Sequence, residues 1–447
     1  MQYIIVQPRN LTAKVSLPSS KSISNRALLL NTLSGAPMGY IANLSDCDDT
    51  TVMMQALFLL DAERREGRVG ELIPTINIKA AGTAMRFLTA YLAATPSVGT
   101  RVITGTERMR QRPIGLLVEA LRTLGADIEY VHQEGFPPLR ITGKQLKGGK
   151  VSLPGDVSSQ YISALLMIAP LLSEGLTLSL QGAIISRPYI HMTMQMMREH
   201  GAEVAWKGPR TIVVKGGKGY RPTPYFIESD WSAASYWYEI ELLSDNRNET
   251  LELRGLFPDS LQGDSAVKDI FQQLSVQTFM LSRQQGEPLT MLIRRGRVPK
   301  QLTWDFTKMP DLAQTLVVTC AMKGIAFHFT GLQSLRIKET DRIAALQTEL
   351  RKLGVQVEVE GDDIMYWAGP QQQAQGTVPY LQPAAGTAID TYDDHRMAMA
   401  FAPTALVLGS ICINNPDVVS KSYPRFWQDL QAAGFEVRED PPPTPPV

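Results

Sequence analysis

The chain has 447 residues, more than one hydrophobic core usually supports, so two large domains are expected. Hydrophobic residues make up 44% and charged residues 20%, which fits a globular protein and excludes a disordered or coiled-coil one. The 44 basic residues balance the 44 acidic ones, so no global field favours nucleic acid or a membrane surface, and any preference for anions has to be local.

In chain order, Met1-Gln2-Tyr3-Ile4-Ile5-Val6 reads as a strand, because it lacks the basic start and long apolar stretch of a signal peptide. No run of about 18 apolar residues follows anywhere, so no transmembrane span is expected. Short polar clusters that open directly into apolar helices then recur six times. They are Ser20-Lys21-Ser22, Gly82-Thr83, Ser158-Ser159-Gln160, Ser229-Asp230, Met309-Pro310-Asp311 and Asp393-Asp394-His395-Arg396, spaced roughly 60 to 80 residues apart. The runs behind them, such as 27–30, 164–172 and 397–408, are apolar on most sides and predict buried helices. A second, interleaved series over 112–124, 188–201, 340–354 and 424–434 has the amphipathic pattern of surface helices, with Pro near the start in three of them, Gly near the end and a β-rich stretch after it. Six units of a buried helix, a surface helix and short strands divide into two domains of three. The tail 441–447 is Pro-rich and is expected to be disordered. Cys47, Cys320 and Cys412 are odd in number and far apart, which suits reduced thiols and a cytoplasmic location.

The first turn of a helix presents unpaired N–H groups and a partial positive charge, so several starts meeting at one place attract phosphate or carboxylate. Lys21, Ser22, Arg26, Thr83, Arg86, Ser158, Ser159, Gln160 and Arg396 lie in or near such turns, and Arg108, Arg110 and Arg112 form a dense basic run. Singly, each is explained as a helix cap or a solvated arginine. Their recurrence at matching points favours anion binding. The segment Arg336-Ile337-Lys338-Glu339-Thr340-Asp341-Arg342 has two readings. It can be a helix-entry salt-bridge cluster, or a site where Lys338 and Arg342 hold an anion and Glu339, with a raised pKa, donates a proton. Asp311, an isolated carboxylate at a helix start, can be a general base, a ligand for a substrate hydroxyl or an N-cap. His395, beside Asp394 and Arg396, stays open between a structural and a functional role. His132, His191, His200 and His328 are scattered and no metal motif occurs, so no metal is expected. The Gly- and Lys-rich run 143–150 fails the phosphate-loop spacing.

The segments 17–27 (LPSSKSISNRA), 81–86 (AGTAMR), 108–114 (RMRQRPI), 337–342 (IKETDR) and 394–399 (DHRMAM) are similar to those of the 5-enolpyruvylshikimate-3-phosphate synthase family, and the resemblance runs from about residue 7 to residue 430. It implies an α/β fold of two similar domains, each of three βαβαββ repeats. Residues 1–18 and 227–447 would form one domain and 19–226 the other, with the chain crossing twice and the active site in the cleft between them, closing on substrate. The implied reaction transfers the enolpyruvyl group of phosphoenolpyruvate to the 5-hydroxyl of shikimate 3-phosphate, releasing inorganic phosphate. Carried over by position, Lys21, Gly82, Arg112, Gln160, Arg342, Arg396 and Lys421 would meet phosphoenolpyruvate. Ser22, Arg26, Ser158, Ser159, Gln160, Ser186, Asp311 and Lys338 would meet shikimate 3-phosphate. Asp311 would be the base toward the hydroxyl, and Glu339, with Lys21, would handle the proton at the methylene carbon. The resemblance implies no cofactor, no metal, no nucleic-acid or membrane partner, and a cytoplasmic monomer.

The chain departs from the family pattern at Lys79-Ala80 (usually Gly-Asn), Phe87 (usually Pro), Ser334 (usually Asn) and 304–310 (usually Asp-rich), which bears on shikimate 3-phosphate affinity and on the response to glyphosate. A rival reading is the enolpyruvyl transferase of UDP-N-acetylglucosamine, but that enzyme has a reactive Cys near the region of 108–112, where this chain has none. A non-catalytic binder of phosphorylated metabolites is the other alternative; the carboxylates Asp311 and Glu339 argue against it, since anion binding gains nothing from them.

Overall fold

The computed structural model of the chain describes residues 1–66, 74–245, 250–281, 288–373, 380–384 and 386–440, so the Pro-rich tail lies outside the described residues. The chain divides into two compact units, one of Met1–Pro18 with Glu228–Val447 and the other of Ser19–Ile227.

Among its described residues the first unit holds three four-stranded sheets; two follow the order βαβαββ, and the third is laid down as βαβαβ with its remaining strand supplied by the start of the chain. In one, Lys14–Ser16 runs parallel to Leu251–Arg254, which pairs antiparallel with Leu289–Arg294 and that with Val276–Leu281. In the next, Gln301–Asp305 is parallel to Ala326–Thr330, followed by Ile364–Trp367 and Glu358–Glu360. In the third, Ala388–Ile389 is parallel to Ser410–Asn414, and the chain's opening strand Gln2–Val6 sits between Ser410–Asn414 and Glu436–Asp440. The parallel pairs are joined through the helices Trp231–Leu243, Ala313–Lys323 and His395–Phe401, which form the core. Every residue of Trp231–Leu243 is buried except Ser232, and every residue of His395–Phe401 is buried. Outer helices Val267–Gln273, Arg342–Lys352 and Phe426–Ala432 lead into the last strands of each repeat.

The second unit repeats this plan with buried helices Lys21–Leu33, Gly82–Ala94 and Ser159–Ile168 and outer helices Asp48–Glu66, Gly115–Thr123 and Arg187–Glu199. Thr75–Asn77, Thr100–Thr104, Leu139–Thr142 and Asp127–Tyr130 form one sheet in that order. Gly149–Pro154, Leu176–Gln181, Thr211–Val214 and Val204–Trp206 form the next. The remaining repeat has only the parallel pair Tyr225–Phe226 and Ile41–Ala42 among the described residues, short of the four strands expected of each unit.

All six polar clusters do open helices, and four of those starts carry a side-chain cap. Ser20, Ser158, Asp230 and Asp394 each accept from a backbone N–H two or three residues on, so the hydroxyl and carboxylate preference at these positions has a local cause. The outer helices Asp48–Glu66 and Val267–Gln273 are not marked in the sequence. The first exposes Phe58 and Leu59, which blurs its amphipathic pattern, and the second is only 7 residues long, too short to show a period. Among the described residues, no helix is long and apolar enough to cross a membrane.

Candidate active site

In the unit Ser19–Ile227, Lys21 opens its helix with Nζ 3.6 Å from Asp49 Oδ2 on the neighbouring outer helix. Arg26, further along the same helix, is 3% exposed. Its Nε donates to Thr193 Oγ1 (2.7 Å), its Nη1 to the Ser22 carbonyl (2.8 Å) and its Nη2 to Ser163 Oγ (3.1 Å), and its guanidinium carbon lies 5.4 Å from the Phe87 ring centroid. Among the described residues, its hydrogen-bond partners are all neutral oxygens, and burial lowers its pKa to about 10. A cation held out of water without a counter-charge is costly, and any anion that reaches it lowers that cost. Phe87, the departure from the family's Pro, supplies the ring that supports this guanidinium.

The second helix start of this unit concentrates two more cations. Arg86 Nη1 donates to the Gly82 carbonyl at 2.9 Å, and a Cβ added to Gly82 would lie 2.7 Å from Arg112 Nη1 and 2.8 Å from Arg86 Nη1. Glycine here leaves room for these two arginine ends, since its backbone φ is unremarkable. Gln160 Nε2 donates to Thr83 Oγ1 at 3.0 Å, which ties the start of Ser159–Ile168 to the start of Gly82–Ala94. Ser158 caps Gln160 N, Ser159 is buried, and Ser186 takes a left-handed backbone (φ 51°) just before Arg187–Glu199 without capping that helix. Arg108 and Arg110 are exposed, so of the basic run only Arg112 is brought to a buried-helix start. Lys79, where the family usually has Gly, takes a left-handed φ of 51° that glycine adopts without strain.

In the other unit a lattice of opposite charges is built around Arg342, which is 1% exposed. Its Nε and Nη2 donate to Asp394 Oδ2 (2.7 Å) and Oδ1 (3.3 Å), its Nη1 to Asp311 Oδ1 (2.9 Å) and its Nη2 to Glu339 Oε2 (2.9 Å). Lys338 Nζ is 3.2 Å from Asp311 Oδ1, Arg396 Nη2 is 3.2 Å from Asp311 Oδ2, and Lys421 Nζ is 3.4 Å from Glu339 Oε1. Lys338, Arg342, Arg396 and Lys421 thus face Asp311, Glu339 and Asp394, four cations to three carboxylates. The arginine Arg396 also joins the three buried-helix starts of this unit: its Nη1 donates to the Asp311 carbonyl (3.2 Å) and its Nη2 to Ser232 Oγ (3.4 Å).

The local reading of Asp311 changes. Asp311 is neither isolated nor an N-cap, since Met309 occupies the cap position and the Asp311 side chain accepts from cations instead. Burial alone would raise its pKa, but Arg396, Lys338 and Arg342 together hold it well below the ordinary aspartate value, against a smaller opposing push from Glu339. Glu339 sits between two cations, Arg342 and Lys421. For Arg342 burial opposes the charge, yet Asp394, Glu339 and Asp311 raise its pKa. The helix-entry salt-bridge reading of 336–342 holds for Asp341, which caps Arg342–Lys352 at Ala344 N (3.1 Å) and pairs with Arg336 (3.2 Å), while Lys338, Glu339 and Arg342 belong to the lattice. His395 is buried with Nδ1 3.8 Å from Asp394 Oδ1.

Several participants carry no signal of their own in the sequence. Asp49, Ser163, Thr193, Ser232 and the bidentate role of Asp394 depend on which helices pack together, although Asp394 could have been singled out as the cap immediately before Arg396.

This fold is that of the enolpyruvyl transferases. It aligns with an EPSP synthase structure from Acinetobacter baumannii at a TM-score of 0.74 and 24% identity, covering 98% of this chain and 100% of that one. The enolpyruvyl transferase NikO from Streptomyces tendae aligns at 0.68 and 15%, over 98% of each chain. The profile of the family described as EPSP synthase (3-phosphoshikimate 1-carboxyvinyltransferase) matches residues 5–430. A 3-phosphoshikimate 1-carboxyvinyltransferase of Bacteroides fragilis strain YCH46 is 51% identical over 438 residues, 98% of this chain and 99% of the relative, and one from Sulfurovum sp. strain NBC37-1 is 37% identical over 97% and 99%. The chain belongs to the EPSP synthase family.

Proposed function

We propose that the chain transfers the enolpyruvyl group of phosphoenolpyruvate to the 5-hydroxyl of shikimate 3-phosphate with release of inorganic phosphate. The observation that carries this reading is the meeting of Lys338, Arg342 and Arg396 on one buried carboxylate, Asp311. Multiply anionic substrates need such cations, and a reaction at a hydroxyl needs the carboxylate. In the reaction, the hydroxyl oxygen bonds to C2 of phosphoenolpyruvate, its proton passes to Asp311, and a proton is added at C3, giving a tetrahedral adduct. Loss of a C3 proton with departure of phosphate restores the double bond. Glu339, helped by Lys21, gives and takes the C3 proton. Asp311 is a weak base while three cations lean on it, and it regains basicity as substrate anions draw on the same cations.

Substrate roles follow the same division. Phosphoenolpyruvate is held by Lys21, Gly82, Arg112, Gln160, Arg342, Arg396 and Lys421; shikimate 3-phosphate by Ser22, Arg26, Ser158, Ser159, Gln160, Ser186, Asp311 and Lys338. The uncompensated guanidinium of Arg26 and the two cations crowding Gly82 support anion binding in one unit, and the Asp311 lattice supports it in the other. Both sets serve one pair of substrates in this reading. A cytoplasmic location and a monomeric form belong to it too; the first is supported by cysteines none of which forms a disulfide.

Phosphate release should require both phosphoenolpyruvate and shikimate 3-phosphate, and UDP-N-acetylglucosamine should not replace the latter. Glu339→Gln and Asp311→Ala should each slow turnover by roughly 100-fold or more. Binding of both substrates without phosphate release would favour the non-catalytic alternative, and turnover with the nucleotide sugar would favour the rival transferase.

A further inference from the structure

Two of the groups that orient Arg396 differ in kind. One is Asp311, through its carbonyl at 3.2 Å and its Oδ2 at 3.2 Å. That carboxylate is shared with Lys338 and Arg342 and, in the reaction proposed above, takes up a proton, so its hold on Arg396 changes during turnover. The other partner is Ser232 Oγ, which accepts from Arg396 Nη2 at 3.4 Å and donates its own proton to Asp264 Oδ2. A hydroxyl has one proton and two lone pairs, so donating to a carboxylate turns its lone pairs toward the guanidinium.

The Asp264 end of this chain is rigid. Asp264 is 1% exposed and lies in the turn Gly263–Ala266, and the preceding Gln262 is clasped to the start of Trp231–Leu243. Gln262 Nε2 donates to the Ser229 carbonyl at 2.8 Å and its Oε1 accepts from Trp231 N at 3.1 Å. Ser232 is the one residue of Trp231–Leu243 that is not buried in the core, which leaves its hydroxyl available to Arg396.

We infer that Asp264, acting through Ser232, is a positioning residue that keeps the Arg396 guanidinium aimed at the anionic donor while Asp311 changes its protonation. The inference rests on the proposed reaction, and on Arg396 holding phosphoenolpyruvate. Neither residue touches substrate in this assignment.

The test is steady-state kinetics of the full chain carrying Ser232→Ala, Ser232→Thr or Asp264→Asn, with wild type alongside and thermal melting of every variant. Ser232→Ala and Asp264→Asn should each raise KM for phosphoenolpyruvate about tenfold, the scale of one charge-assisted hydrogen bond, and leave KM for shikimate 3-phosphate within about twofold. Ser232→Thr, which keeps the hydroxyl, should restore the wild-type value. In an Arg396→Lys background Ser232→Ala should add little, because the fork it orients is gone. An unchanged KM in folded Ser232→Ala, equal rises for both substrates, or a full effect in the Arg396→Lys background would each overturn the inference. If Asp264→Asn fails to fold, Ser232→Ala and Ser232→Thr still decide it. Inactive wild type would instead overturn the proposed reaction.

Discussion

The guanidinium of Arg342 is buried, and its shortest ion pair is with Asp394, itself 0% exposed. Asp394→Asn keeps the shape of the contact and removes the counter-charge, so it should cost about 3–5 kcal/mol, read from urea unfolding of the variant against wild type. Gly82 carries a different kind of constraint. The atoms that a Cβ at Gly82 would meet are the ends of two arginines, which can swing away, so Gly82→Ala should fold normally. The displaced Arg112 is one that we place on phosphoenolpyruvate, so KM for that substrate should rise about tenfold, or ~1.4 kcal/mol, with melting temperature nearly unchanged. An unaltered KM would remove Arg112 from the phosphoenolpyruvate site.

At the scale of elements, the buried helices contain polar groups as well as apolar ones. Glu239, in the middle of Trp231–Leu243, is 0% exposed, and burial pushes its carboxyl well above the ordinary glutamate value, against a smaller lowering by Thr319. Its folded pKa is therefore higher than its unfolded one. Its contribution to stability is present in full below about pH 4.3 and is lost progressively as pH rises through the folded value. Glu239→Gln removes this dependence. The variant should match wild type in acid and exceed it at neutral and alkaline pH, in denaturant melts across that range. The buried-helix starts themselves were legible because capping is local: Ser20, Ser158, Asp230 and Asp394 each bond a backbone N–H within three residues. The outer helices were legible only where a full amphipathic run survives, as in Arg187–Glu199, and not in Val267–Gln273.

For the whole molecule, the order of strands makes a sharp distinction between the two units. Residues 1–18 supply the strand Gln2–Val6, which lies inside one sheet between Ser410–Asn414 and Glu436–Asp440, and the strand Lys14–Ser16 of another. Deleting 1–18 opens two of the three sheets of that unit, so the truncated chain should lose cooperative unfolding of the unit containing 228–447. The segment 19–227 contains all the strands of its own unit, and expressed alone it should keep native-like circular dichroism and a cooperative melt. A truncated chain that melts like the full one would refute the role given to the opening strand.

What the sequence determined by itself is what short-range physics writes into it. Helix caps, Pro and Gly at helix ends, apolar periodicity and the run 337–342 all act within a few residues, so the α/β repeat plan and most of the charged candidates could be read directly. The tertiary structure alone decided which of those charges meet. Arg26 finds Thr193 across 167 residues of chain, Arg396 finds Ser232 across 164, and Arg108 and Arg110 stay exposed while Arg112 reaches Gly82. Pairing at such separations is set by the packing of buried helices against one another, which no local pattern encodes, and that packing turned Asp311 from a lone carboxylate into the centre of a charge lattice.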